Sequence, residues 1–411
     1  MKTRALRIAF VHPELGIGGA ERLMVDAALA LQQRGSRVSI FTARHEHDNC
    51  FEETLSGLLD IRVAGKCIPL QVAGRLRVPC AIARMACAVL AMARSGEPWD
   101  IVMCDLVPHI IPLIRMVSGA RIVFYCHFPD LLLAPKHSGM YGLYRQPINR
   151  LEEAGLRMAD RILVNSRFTA GIFRATFPRL AGREITVLYP GIDISACDRG
   201  MARPAMLAGL QDSDIMLLSL NRYDPGKNCG LAVDCLAALQ KIVPEALFRR
   251  LRLVVAGACD ERLPESTALL KRLQQRTEEL NLADRVVFLK AVTAAERAWL
   301  FNRCTSLVYT STYEHFGIGI VEAMAAGRPV VAAAGGGPLE TVRHGETGFL
   351  CEPSPEAFAR ALARIVTDPP LVERLGREAR KRAADDFSLS AFGRQLEAIA
   401  MTVISGSNHG C

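Results

Sequence analysis

The stretch Glu314-His-Phe-Gly-Ile-Gly-Ile-Val-Glu322, continuing as Ala-Met-Ala-Ala-Gly327-Arg-Pro-Val-Val331, decides how the chain is read. One apolar run, Leu307–Tyr309, precedes it, and another begins at Val330 and ends at Ala333. Between them lie a glycine-bearing loop and an apolar segment of helical composition. The order is therefore strand, loop, helix, strand, the repeating unit of a parallel α/β sheet. Glu314 falls in the loop and Glu322, eight positions on, inside the helix. A helix N-terminus offers unpaired N–H groups and the positive end of aligned peptide dipoles, which suits phosphate or a developing anion. Carboxylates repel phosphate but grip hydroxyls. The segment predicts a site for a molecule carrying both phosphate and sugar.

The same alternation extends in both directions. The first half holds apolar runs at Leu6–Val11, Val38–Thr42, Ile101–Cys104, Ile122–Cys126, Ile162–Val164 and Ile185–Leu188, and the second at Ile215–Leu220, Leu251–Ala256 and Val286–Leu289. A helix over Glu21–Arg34 places Leu23, Ala27, Ala30 and Leu31 on one face, with Gly35 where a left-handed residue ends it. Thr293-Ala-Ala-Glu296 reads as a capping box opening another helix. Residues 192–213 break the pattern and read as a linker. Pro355 to Ile404 reads as helical, its last part reaching back towards the first domain. The expected fold is α/β, with two doubly wound, Rossmann-like domains on either side of a cleft. Residues 1–195 form the first, 196–385 the second, and 386–411 a returning C-terminal helix.

At 411 residues, half of them hydrophobic, the chain has length for two domains and is too apolar to be disordered. Its thirteen cysteines form no CxxC pair, which favours reduced thiols serving as small core fillers. No secretory signal precedes the first strand, and no run reaches the ~18 apolar residues of a spanning helix. Val78–Ala93, interrupted by Arg84 and flanked by Arg75, Arg77 and Arg94, reads either as a core helix or as one lying on a membrane surface. Residues 1–195 carry 24 Lys+Arg against 17 Asp+Glu, whereas 196–411 carry 26 against 25. The excess in the first half suits an anionic membrane or a lipid-linked phosphate. With 6% aromatic residues and no nucleic-acid motif, it does not suit nucleic acid.

Candidate site residues sit where strands end. His12-Pro-Glu-Leu-Gly16-Ile-Gly18-Gly19-Ala-Glu-Arg22 is a glycine-rich strand-to-helix turn that either approaches a phosphate with its backbone or simply turns. Asn221-Arg222-Tyr-Asp-Pro-Gly-Lys227-Asn228 offers a guanidinium fork and an ammonium for a diphosphate, or is a solvated basic turn. In Tyr125-Cys-His127-Phe-Pro-Asp130, His127 either meets a sugar hydroxyl or leaving phosphate or is structural, with Asp130 placed to orient a neighbour. Gly335-Gly-Gly337-Pro-Leu-Glu340 either lines the site or is a plain turn.

Gly18-Gly-Ala-Glu-Arg22, Arg222 with Lys227, Glu314–Glu322 and Gly327-Arg-Pro-Val330 occur in the order found in the retaining glycosyltransferases of family four, and the chain resembles that family over essentially its whole length. A narrower resemblance carries further. Phe10–Arg22, Phe124–Leu133, Ile162–Ser166, Glu314–Gly317, Gly336–Glu340 and Thr347–Pro353 are similar to the alpha-1,3/1,6-mannosyltransferases of dolichol-linked oligosaccharide assembly. That resemblance implies the GT-B fold and GDP-mannose as donor. It also implies a lipid-linked glycan acceptor and a peripheral place on the cytoplasmic face of a membrane, endoplasmic reticulum or bacterial inner membrane. A bacterial relative using another nucleotide sugar for polysaccharide or glycolipid assembly would look much the same. No apolar anchor ends the chain at Ser405–Cys411. The resemblance further implies the roles of single residues. Arg222 and Lys227 bind the donor diphosphate, approached also by the backbone of Gly18 and Gly19. Glu314 holds the transferred sugar, assisted by backbone N–H groups of Phe316, Gly317 and Ile318. Glu322 binds the ribose, and His127 lies near the reacting carbon. No metal and no further cofactor are expected, since no Asp-x-Asp motif stands at a strand end.

Overall fold

A computed structural model describes residues 5–72, 76–133 and 140–406. Arg75 and the stretch after Gly406 therefore lie outside the described residues. The chain divides into two units, Met1–Gly191 with Leu389–Cys411, and Ile192–Ser388.

The first unit is built on seven parallel strands: β1 Arg7–His12, β2 Arg37–Thr42, β3 Asp60–Val63, β4 Ile101–Asp105, β5 Arg121–Cys126, β6 Arg161–Val164 and β7 Ile185–Val187. Their order is β3-β2-β1-β4-β5-β6-β7. Side chains alternate across a strand, so β1 feeds both faces of the sheet. Ile8 and Phe10 enter one core with Met24, Val25, Phe392 and Leu396. Ala9 and Val11 enter the other with Met85, Val89, Met92 and Ile111. Each such fully buried large side chain contributes about 1.5–3 kcal/mol. Helix Gly19–Gln33 covers the first face together with helix Leu389–Ser405. A Cβ on Gly393 would stand 3.0 Å from that of Ala30, so these two helices lie close. Gly35 takes φ +90° just past the end of the first of them. Helix Arg77–Arg94 buries Cys80, Met85, Ala88, Val89 and Met92 on the opposite face while Leu76 and Leu90 remain exposed. Among the described residues no helix is long and apolar enough to cross a membrane.

The second unit holds six parallel strands: β8 Ile215–Leu220, β9 Leu251–Ala256, β10 Val286–Leu289, β11 Ser306–Tyr309, β12 Val330–Ala333 and β13 Gly348–Cys351. Their order is β10-β9-β8-β11-β12-β13. In both sheets the chain works outward in one direction and then returns to add strands on the other side. The reversal falls between β1 and β4 in one sheet and between β8 and β11 in the other. The carboxyl ends of strands at such a reversal open a crevice where ligands bind.

The structure departs from the sequence reading at the margins. β3 and β13 are additional edge strands. Asp-Ile-Arg-Val has no continuous apolar run because an edge strand is buried on fewer sides. Residues 192–213 do not hang free as a linker. Cys197 and Leu207 are buried, and the Ala202 N–H donates to the Ala295 carbonyl at 3.1 Å. The tail divides at Ser388, whose extended backbone ends helix Pro369–Phe387 before Leu389 begins the next, within three residues of the start read at 386.

Candidate active site

In the first unit, β1, β4 and β5 bring three polar residues together at their carboxyl ends. His12 is the last residue of β1, Asp105 the last of β4, and His127 stands one residue beyond β5. His12 Nδ1 lies 2.6 Å from Asp105 Oδ1, and His127 Nε2 lies 2.9 Å from Asp105 Oδ2. One carboxylate thus spans two imidazoles. His12 and Asp105 are wholly buried, whereas the His127 side chain is 20% exposed. Burial alone would raise the Asp105 pKa. His12, by charge and hydrogen bond, and then His127 pull it below the ordinary carboxylate value. Burial likewise opposes a charged His12, but Asp105 and then Glu21, 4.0 Å away, lift its pKa above the usual imidazole value. His127 is anchored further by its carbonyl, which accepts from Asn165 Nδ2 at 3.3 Å. Asp130 pairs with Arg145 at 2.8 Å, and its N–H donates to Glu152 Oε1 at 3.1 Å.

The turn Gly16–Gly19 differs from its expected rationale. None of its glycines has positive φ. Gly18 is extended, and a Cβ there would meet Glu21 Oε2 at 2.2 Å. Its lack of a side chain lets the Glu21 carboxylate fold over the start of helix Gly19–Gln33. A Cβ on Gly19 would meet nothing within 4 Å, so that residue opens onto free space.

In the second unit, β8 delivers the turn carrying Arg222 and Lys227, and β11 delivers Tyr309 and Glu314. Asp224 accepts from the Gly226 N–H at 2.8 Å and closes the short turn Pro225–Lys227. Thr310 Oγ1 donates to the Lys227 carbonyl at 2.8 Å, tying the two strand ends together. Lys227 Nζ then lies 2.7 Å from Glu314 Oε2, which also accepts from the Tyr309 hydroxyl. Burial pushes the Glu314 pKa up, but Lys227 and then Tyr309 hold it below the ordinary carboxylate value. Burial and Lys227 lower the His315 pKa, Glu314 opposing them, so the ring is neutral near pH 7. Arg222 stands apart. Its side chain is 72% exposed, and its nearest acid is Asp224 at 3.8 Å.

The loop bearing Glu314 rests on the glycines Gly335–Gly337. Cβ atoms there would meet Thr312 O at 2.7 Å, Glu314 O at 2.4 Å and Phe316 Cα at 2.5 Å. Gly336 has φ +60°, and the Gly337 N–H donates to the Glu314 carbonyl at 2.7 Å. This glycine run is the seat of the Glu314 loop. Gly317, at φ +87°, precedes helix Ile318–Ala325 without a side-chain cap. Phe316 is buried, its ring centroid 5.7 Å from that of Phe387. Glu322 is gripped at both oxygens by Arg297, through Nε at 2.9 Å and through Nη2. Arg297 comes from helix Ala294–Arg303, which the Thr293–Glu296 capping box does open.

Asp105, Tyr309 and Arg297 are site residues that motif reading passed over, and His12 opened a quoted motif without being given a role. Asp105 had a local signal, a lone charge closing an otherwise apolar strand. Arg297 had none, since only tertiary packing brings it to Glu322.

Two parallel-sheet units of this order have the architecture of the glycosyltransferases of the GT-B fold. The family model "Glycosyltransferase Family 4" matches residues 17–196 and "Glycosyl transferases group 1" matches 208–382. Among solved structures, sucrose-phosphate synthase from Thermosynechococcus elongatus superposes with a TM-score of 0.76 at 21% identity, covering 98% of this chain and 100% of that one. The chain is 40% identical over 395 residues to the alpha-1,3/1,6-mannosyltransferase ALG2 of Mus musculus, covering 95% of this chain and 94% of the relative. It is 39% identical over 420 residues to that of Rhizomucor pusillus, covering 97% and 92%. The chain belongs to the alpha-1,3/1,6-mannosyltransferase family.

Proposed function

We propose that this enzyme moves mannose from GDP-mannose, with retention, to mannose hydroxyls of a lipid-linked oligosaccharide, making alpha-1,3 and alpha-1,6 linkages. It works from the cytoplasmic face of a membrane to which it binds peripherally. The acceptor assignment is supported by the full-length similarity to alpha-1,3/1,6-mannosyltransferases. The membrane assignment is supported by the basic first half of the chain and by the exposed Leu76 and Leu90 beside Arg77 and Arg94 on helix Arg77–Arg94.

The observation that carries the donor reading is the Lys227–Glu314–Tyr309 cluster at the β8/β11 reversal. A diphosphate needs cations and a sugar needs acceptors for its hydroxyls, and this cluster offers both within one hydrogen bond of each other. Arg222 and Lys227 bind the diphosphate. Glu314 takes the hydroxyls of the transferred sugar, Glu322 the ribose, and His127 meets the sugar near its reacting carbon. Backbone groups at Gly18, Gly19 and Phe316–Ile318 complete the contacts. The bond from the anomeric carbon to the phosphate oxygen breaks as that carbon joins the acceptor oxygen on the same face. The acceptor proton passes to the departing phosphate. Orientation and neutralisation of the leaving diphosphate supply the catalysis, with no protein nucleophile.

A short-chain lipid-diphosphate trisaccharide incubated with GDP-mannose tests this reading, with products weighed by mass spectrometry. Addition of one or two hexoses is expected; transfer only from a uridine or adenosine diphosphate sugar would refute the donor. The arginine and lysine do the work often given to a divalent ion, so full activity in a chelator is expected. Recovery only on adding Mg²⁺ or Mn²⁺ would refute metal independence.

A further inference from the structure

The roles assigned above leave Asp105 and His12 without a task. We propose that Asp105 is a positioning residue for His127: with His12 as its buried counter-charge, it holds the ring so that Nε2–H points into the protein and Nδ1 is offered to substrate as an acceptor. This rests on the reading of His127 as a donor-sugar contact.

The geometry makes the assignment. A carboxylate can only accept, so each ring nitrogen facing Asp105 carries a hydrogen. His12 donates from Nδ1 at 2.6 Å and His127 from Nε2 at 2.9 Å. Asp105 is wholly buried and cannot itself reach substrate, so whatever it does is done through His127. Its negative charge is already balanced on the His12 side, where the Glu21 carboxylate 4.0 Å from Nε2 adds a second reason for a cation. The other titratable groups around this chain are Tyr125 and Cys126 on β5 and Cys104 on β4, all buried and held neutral by burial. A neutral imidazole protonated at Nε2 has its lone pair on Nδ1, which accepts from a hydroxyl. The opposite tautomer, or a cation, would present a donor there instead. Packing limits rotation, since the Tyr125 ring lies 4.9 Å from that of His127, centroid to centroid.

The test is a long-range proton–nitrogen correlation spectrum of the histidine rings in the full-length, unliganded chain, with His127 assigned from its absence in His127→Ala. The His127 tautomer carrying its hydrogen on Nε2, beside doubly protonated His12, is expected. In Asp105→Asn the single tautomer of His127 gives way to a mixture. Loss of an outer partner that orients a metal-bound histidine typically costs about 10–100-fold, and the same orienting role is at stake here. A fall of that size in kcat is expected, with KM nearly unchanged. Asp105→Asn/His127→Ala should be no slower than His127→Ala alone, because both changes remove one device. Nδ1–H or a cationic His127 in the wild-type spectrum would overturn the proposal even if Asp105→Asn fails to fold. So would losses that multiply in the double variant. Full turnover by His127→Ala would instead overturn the donor-contact reading beneath it, and the wild-type tautomer tells the two failures apart.

Discussion

Replacing Lys227 by Met removes the ammonium and leaves the Glu314 carboxylate behind. The side chains of the pair are 21% and 13% exposed, so this is neither a surface ion pair nor a fully buried one. Surface pairs are worth about 0–1 kcal/mol, whereas stranding one partner of a buried pair costs about 3–5 kcal/mol. Glu314 would keep the Tyr309 hydroxyl and the His315 N–H as donors. An intermediate loss of about 2–3 kcal/mol follows. The pH dependence fixes the cause. Although burial pushes its pKa up, Lys227 and Tyr309 hold Glu314 below the ordinary carboxylate value. In the wild type its stabilisation is therefore complete above that value and is lost as pH falls through the lower folded pKa. Without Lys227, burial is opposed less and the folded pKa rises, so the variant loses much of the stability that Glu314 contributes near neutrality. The gap between the two proteins is widest near neutrality and narrows towards pH 4–5. Thermal melting of the full chain reads this as a drop of about 5–10 °C near neutrality and a smaller one in acid. Lys227→Met/Glu314→Gln should recover most of the loss without recovering turnover. A drop that is the same at both pH values, or a double variant no better than the single one, would refute the reasoning.

Arg222→Ala should leave the melting temperature unchanged, because the side chain is exposed, while transfer falls about 10²–10³-fold as for a lost oxyanion donor. Gly336→Ala must accommodate a Cβ 2.4 Å from the Glu314 carbonyl at φ +60°; a loss of about 1–3 kcal/mol and of activity is expected, checked by melting and turnover. Glu152 is pushed up to about 7 by burial and then by Asp130, so its contribution is full below the ordinary carboxylate value and lost as pH rises through 7. Glu152→Gln should therefore gain on the wild type above pH 7, by up to about 3 kcal/mol, in pH-dependent unfolding curves. Arg297→Gln strands Glu322 and should weaken nucleotide binding, measured by calorimetry, more than Thr293→Ala, which removes only a helix cap.

The sequence made the inner strands visible because residues buried on both faces of a sheet must be continuously apolar. β8 and β9 lie where their apolar runs lie. Asp60–Val63, at an edge and half exposed, mixes charged with apolar residues, so no apolar run marks it. At the candidate site, position was legible and pairing was not. Lys227 and Glu314 each announce a charge near a strand end, but nothing local says that they meet across 87 positions. The glycines at 335–337 read equally as site lining or as a plain turn, because the requirement they meet, room for the 312–316 backbone, comes from another part of the fold.

The candidate carboxylates share one property. Asp105 is matched by His12, Glu314 by Lys227, and Glu322 by Arg297. An acidic side chain held in this way cannot by itself attract or repel an incoming diphosphate strongly. Arg222 is different: its charge faces solvent with its nearest acid 3.8 Å away, a separation at which solvent screens most of the attraction. On the proposed assignment, Arg222 meets the donor first, and Lys227 joins only by giving up part of its bond to Glu314. Glu314 then needs replacement donors, and the hydroxyls of the transferred sugar supply them. Diphosphate and sugar would consequently bind with positive coupling, each making the other's partner available. A nucleoside diphosphate lacking its sugar should bind through Arg222 with little call on Lys227. The intact donor should lose more affinity than that diphosphate does when Lys227 is replaced by Met. Equal losses for both ligands would mean that the ion pair stays closed during binding and that Lys227 serves only to support the loop.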